Sequence, residues 1–137
     1  MRMLIWHVDS FTAEPAERGR SKLADREPTV ASIEEGLVVF AAVEKADEPE
    51  PLAVAARAAP AIAEVARNLG VKQVLIHSFA HLFVELSVPS VARETLNETQ
   101  RLLEVEGFQV SQSAFGWFSR LEMKAKGHPL SRVARQV

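Results

Sequence analysis

The side chains best suited to chemistry in this chain are four histidines, His7, His77, His81 and His128. His81 is the strongest candidate. A strand-like run, Val74-Leu75-Ile76, leads into Ser78-Phe79-Ala80-His81 and then into a helical pattern, so an imidazole sits where a strand hands over to a helix. Ligands bind at such places in open α/β sheets, because unpaired backbone groups converge there. A helix-start histidine bonded to backbone fits the same pattern equally well. His77 ends an apolar strand and reads as structural, and His128 lies in the tight turn Lys126-Gly127-His128-Pro129. Phe115-Gly116-Trp117-Phe118 and Lys126-Gly127-His128-Pro129-Leu130 are expected to fit the same site as His81. The aromatic segment has the chemistry to stack on a nucleobase. Its pattern alone favours aromatic strand packing beside a turn glycine.

Other chemistries lack their residues. There is no cysteine, which removes thiol nucleophiles, disulfides and zinc–thiolate sites. No HExxH, GxSxG or Walker pattern occurs, and no acid pair is placed for glycosidase work. No metal or cofactor is expected. The formal net charge of -2 argues against a broadly basic, nucleic-acid-coating surface but leaves room for a local patch. No apolar run approaches a membrane span, and the opening Met1-Arg2-Met3-Leu4-Ile5-Trp6 is too short for a signal peptide. The cytoplasm is therefore the expected compartment.

The elements that must position these residues follow from pattern. Residues 1–137 suit one domain. Met3 to Val8 is a near-continuous apolar run, the mark of a buried strand. Phe11 to Glu35 is polar and charged, and is expected to be a long loop whose Arg18, Arg20, Lys22 and Arg26 either meet phosphate or are simply solvated. Gly36 to Val43 reads as a second strand. Leu52 to Leu69 reads as an Ala-rich helix stopped by Gly70, with Pro60 expected to kink or split it. Lys72 to His77 is a third strand. Pro89-Ser90 opens a second helix, with Ser90 as its cap and Ala92, Leu96, Thr99 and Leu103 on one face. Phe108 to Ser111 and Trp117 to Ala125 are further strands. The expectation is an α/β domain with a mixed sheet of about five strands and two main helices.

Several short segments together resemble the N-terminal editing domain of archaeal threonyl-tRNA synthetases, which has the D-aminoacyl-tRNA deacylase-like fold. They are the start with His7 and Asp9, Val39-Phe40 through Val43-Glu44-Lys45, Phe79-Ala80-His81-Leu82, Pro89-Ser90, Phe115-Gly116 and Lys126-Gly127-His128-Pro129-Leu130. They stand in family order and spacing over nearly the whole chain. The resemblance implies hydrolysis of serine wrongly attached to threonine tRNA. It implies a pocket of Val43, Phe79, Ala80 and His81, with His81 the candidate catalytic residue. Backbone groups around Val43 and Ser78 to Ala80 would hold the aminoacyl group, and Phe115, beside Gly116, would pack near the terminal adenosine. It further implies that the 2′-hydroxyl of that adenosine orients the attacking water. The implied partners are threonine tRNA, the synthetase catalytic domain in cis or in trans, and a second copy of the chain, since homodimers are usual in this fold.

The chain departs from the family at three site positions. Phe118 and Ser119 stand where the family often has tyrosine then lysine, and Arg132 stands where it has a glutamate. Two other functions remain open. One is a D-aminoacyl-tRNA deacylase, against which stands the lack of that family's Gly-Pro pair. The other is a non-catalytic module binding tRNA or a partner subunit, which those three residues would suit. No aminoacylation motifs are visible, so the chain is expected to be an excised domain or a separate editing factor.

Overall fold

Phe11 and Ala13 alternate with Thr12 and Glu14, and Ala31 and Ile33 alternate with Ser32 and Glu34. Period-two alternation of this kind builds a half-buried strand. The computed structural model, which describes residues Met1–Val137, accordingly extends both segments as strands. The elements are β1 (Arg2–Arg18), β2 (Ala31–Ala42), α1 (Pro51–Leu69), β3 (Gln73–Ser78), α2 (Pro89–Val105), β4 (Gln109–Gln112), β5 (Trp117–Ala125) and β6 (Arg132–Gln136). The expected loop from Phe11 to Glu35 is thus mostly the outer part of a long hairpin, because Phe11, Ala13, Ala31 and Ile33 are all buried.

The six strands form one mixed sheet in the order β4-β3-β2-β1-β5, with β6 also pairing β1. β2, β3 and β4 are mutually parallel, as a strand–helix–strand sequence demands. β1 is antiparallel to all three of its neighbours. It is long enough to hold β6 along Arg2–Trp6 and β5 along Val8–Arg18. β6 was not foreseen: Arg132–Gln136 carries few apolar residues to mark it. Register shifts at Val8/Ser10 and Pro15/Glu17 bend β1. Pro15 is tolerated there because β2 pairing has already ended at Ala13–Ala31. The Phe11 ring lies 5.9 Å from Phe40 and 6.1 Å from His77.

The helices cover one face of the sheet. Met3, Ile5, Leu37, Val39, Val74 and Ile76 pack there against Val54, Ala58, Ile62, Leu96 and Leu103. Val8, Phe11, Val38, Phe40 and Leu75 form a second cluster on the other side. Each large side chain removed from water in this way contributes roughly 1.5–3 kcal/mol. Pro60 does not split α1, which runs unbroken through it. Pro60 and Ala56 are both exposed, so the carbonyl freed at Ala56 lies on the solvent side. Gly70 ends the helix with φ of 68°, as expected. Ser90 is not the cap of α2. Val88 occupies that position with no side-chain cap bond, and its N–H donates instead to Glu48 Oε1 at 2.9 Å.

Candidate functional site

The carboxyl ends of β2 and β3, the start of α2, the start of β5 and the segment after β1 enclose a cleft of about 430 Å³. The strand ends supply backbone groups that the sheet no longer pairs. Val43, Ser78, Phe79, Ala80, His81, Phe115, Gly116, Phe118 and Ser119 all line it. Arg132 does not. It lies on β6 with its guanidinium 4.9 Å from the centre of the Trp6 ring. The segment Lys126 to Leu130 is also absent from the lining, contrary to expectation. It packs instead on β1, where His7 Nδ1 and His128 Nε2 are 2.9 Å apart and Lys126 Nζ reaches Asp9 at 2.7 Å and Glu35 at 3.0 Å. No three acidic or histidine side chains there, or elsewhere, are grouped to hold a metal ion.

His81 sits in a single 3-10 turn, Ala80–Leu82, rather than in a helix. Its ring is exposed, lies edge-on to Phe79 at 5.7 Å and stacks over Phe118 at 6.4 Å. The two rings flank the imidazole, which makes no hydrogen bond within the chain. Phe79 N–H is already committed to Ala41 C=O at 2.8 Å. The N–H groups of Val43, Ala80 and His81 donate to no backbone acceptor. Three free donors around one cavity are what a developing oxyanion needs. Ser119 has a buried Oγ with no hydrogen-bond partner.

The opposite wall is held by Asp25, a residue the sequence did not flag. Its Oδ2 accepts from Phe115 N–H at 2.8 Å and its C=O accepts from Trp117 Nε1–H at 2.8 Å. Its own N–H donates to Phe115 C=O at 3.0 Å. Arg93 pairs with the remaining carboxylate oxygen and lies over the Phe115 ring at 4.8 Å. Gly116 turns here with φ of 75°, and a Cβ would fall 2.8 Å from Ala24 Cα. Only glycine fits that turn. Arg20 lines the cleft, is exposed and has no ion-pair partner. Of the four basic residues considered for phosphate, it is the one the fold places at the cleft.

His77 also touches the cleft, and its Nδ1 lies 2.7 Å from Ser113 Oγ. A serine–histidine nucleophile is nevertheless a poor reading. Burial pushes the imidazole down to about 4, which leaves it a weak base at neutral pH. No carboxylate orients its other nitrogen. The depressed value has a consequence for stability. The unfolded chain takes up this proton near pH 6.5 and the folded chain near 4, so between them the unfolded state binds more protons. Stability should therefore fall as pH drops through that window, by on the order of 3 kcal/mol. Urea unfolding at about pH 7 and about pH 4.5 checks this. His77→Gln should flatten the difference, and an unchanged pH dependence would clear His77 as its source.

A family model described as the archaea-specific editing domain of threonyl-tRNA synthetase matches residues 1–137. Among curated proteins, the threonine–tRNA ligase of Methanopyrus kandleri is 40% identical over 139 residues, covering 100% of this chain and 22% of the relative. That of Thermococcus onnurineus is 35% identical over 139 residues with the same coverage. The chain thus spans about a fifth of the length of these relatives. A solved structure titled c-Myc DNA Unwinding Element Binding Protein superposes with a TM-score of 0.62 at 10% identity, covering 100% of this chain and 99% of that one. That last likeness is one of fold, and the fold is α/β of the D-aminoacyl-tRNA deacylase-like kind that the sequence led us to expect.

Proposed function

This chain belongs to the archaea-specific editing domain family of threonyl-tRNA synthetase, and from that premise we propose that its cleft deacylates L-serine mischarged on threonine tRNA. The observation that carries the reading is the cleft itself. Small residues, free amides and an aromatic wall converge at the strand ends, with no protein nucleophile poised among them. Serine differs from threonine by one methyl, which limits discrimination in a synthetic site to about 1–3 kcal/mol. A second, hydrolytic pocket that admits serine and excludes threonine raises fidelity by a steric test.

In this reading the N–H groups of Val43, Ala80 and His81 hold the aminoacyl carbonyl and stabilise its oxyanion. Phe115 packs near the terminal adenosine, and Arg20 meets a backbone phosphate. The ester is on the ribose 3′-oxygen, so the neighbouring 2′-hydroxyl is within reach of the attacking water. A hydroxyl both donates and accepts, which suits it to orient that water. His81 positions the ribose or the water. Water adds to the ester carbonyl, the 3′-oxygen leaves with a proton, and serine and tRNA separate. The partners are threonine tRNA through its 3′ end, the synthetase's catalytic part in cis or in trans, and a second copy of the chain. The compartment is the cytoplasm.

The test is deacylation of seryl- and threonyl-tRNA for threonine side by side. Seryl-tRNA should be hydrolysed at least about tenfold faster. Equal rates would sink the pocket argument, and activity only on D-aminoacyl-tRNA would move the chain to the deacylase reading. The buried, partnerless Ser119 Oγ favours one further outcome, a decayed site that binds without turnover. Tight binding of seryl-tRNA with no hydrolysis would establish that instead.

A further inference from the structure

A second cavity, of about 230 Å³, shares Phe115 with the cleft. It has a different chemistry. Asp25, Arg93, Asn97, Gln112 and Ser113 give it a polar wall. The orientation of its amides is dictated from outside. Glu104 can only accept, so Gln100 Nε2 donates to it at 2.7 Å. Gln100 Oε1 is then left to accept from Gln112 Nε2 at 2.8 Å, and the same Nε2 donates to Asn97 Oδ1 at 3.1 Å. Asn97 Nδ2 and Gln112 Oε1 remain without partners. One carboxylate thus fixes an unpartnered donor and an unpartnered acceptor on two residues that line the pocket.

We infer that this pocket takes the base of the penultimate nucleotide of the bound strand, a cytosine. The inference rests on the reading that the terminal adenosine lies beside Phe115 in the cleft. The next base then falls at the neighbouring cavity, which shares Phe115 with the cleft. All tRNAs end in cytidine, cytidine, adenosine, and cytosine presents an amine beside a ring acceptor on one edge. Gln112 Oε1 accepts from that amine, and Asn97 Nδ2 donates to the ring nitrogen. Glu27 lines the same pocket without a side-chain partner and adds a second acceptor. Carboxylate acceptors select cytosine by its exocyclic amine and repel the carbonyl that uracil puts there.

The probes are 3′-amide-linked seryl-CpA, seryl-UpA and seryl-adenosine, none of which can be hydrolysed at the ester position. Binding to the full chain is measured by calorimetry. The CpA compound should bind about tenfold more tightly than the UpA compound. Asn97→Ala removes only the donor to the ring nitrogen and leaves the amine acceptors, so it should narrow that difference. Asn97 is exposed on α2 and alanine is the better helix former, so the variant keeps its fold. Equal affinity for CpA and UpA in the unaltered protein overturns the inference, as does full discrimination in the variant. Cytosine-dependent binding with no hydrolysis of the corresponding ester would keep this pocket and overturn the hydrolase reading alone.

Discussion

A seryl-tRNA whose terminal adenosine lacks the 2′-hydroxyl is expected to bind normally and to be hydrolysed about 10²–10⁴-fold more slowly, the range that a positioned proton-transfer group contributes. The argument comes from what the cleft contains. There is no cysteine in the chain, and no lysine lines the cleft. His77 is held near 4 by burial and bonded to Ser113, so it offers little basicity at neutral pH. Of the side chains lining the cleft, His81 is the one imidazole left in solvent. It lies edge-on to Phe79 and stacks on Phe118, an arrangement that orients a ring rather than one that activates it through a carboxylate. His81→Ala should therefore cost less than removal of the 2′-hydroxyl, with the loss in positioning. Single-turnover rates for the two changes decide the matter. Normal cleavage of the 2′-deoxy substrate together with a dead His81→Ala variant would make the histidine the catalyst.

The elements around this site were legible where one face or both faces of an element are apolar. Gly36 to Val43 and Lys72 to His77 announce β2 and β3 because parallel, covered strands read as continuous apolar runs. The outer half of the first hairpin was lost for the opposite reason. Its buried positions, Phe11, Ala13, Ala31 and Ile33, are separated by charged residues, and Pro15 and the basic run after it look like loop. β6 has too few apolar residues to register. Its pairing with Arg2–Trp6 is a long-range fact that local pattern does not contain.

The site divides along the same line. Ser78 to His81 were readable because strand ends gather ligand-binding groups whatever the surroundings, whereas Val43 came only from the family resemblance. Arg132 went astray because residue-by-residue likeness says nothing about where β6 turns, and its side chain stacks on Trp6 away from the cleft. Asp25 was invisible for another reason. Its role is built from bonds to Phe115, Trp117 and Arg93, all distant in sequence, and nothing nearby marks it. Lys126 and His128 were drawn to the wrong place. Both pack where β5 turns into β6, against His7 and Asp9 of β1, so their order in the chain reflects that structural corner.

Placement of Ala80 makes the steric argument testable by one substitution. Ala80 is exposed, lines the cleft and opens the 3-10 turn that carries His81. Its free N–H points to a role for the backbone, so its side chain matters chiefly through size. Ala80→Phe puts a ring into the space serine requires and should reduce serine hydrolysis by more than about 200-fold, beyond what one methylene is worth in a pocket. Because the residue is not in the core, unfolding stability should change by no more than about 0.5 kcal/mol. Hydrolysis and urea unfolding are measured on the same preparation. A folded variant with unchanged hydrolysis would show that Ala80 does not bound the acyl pocket. An unfolded one would show that the turn packs more tightly than its exposure indicates. Ala80→Gly gives the reverse test. A smaller residue should let threonine in and narrow the gap between the two substrates, which a merely structural role for the turn would not do.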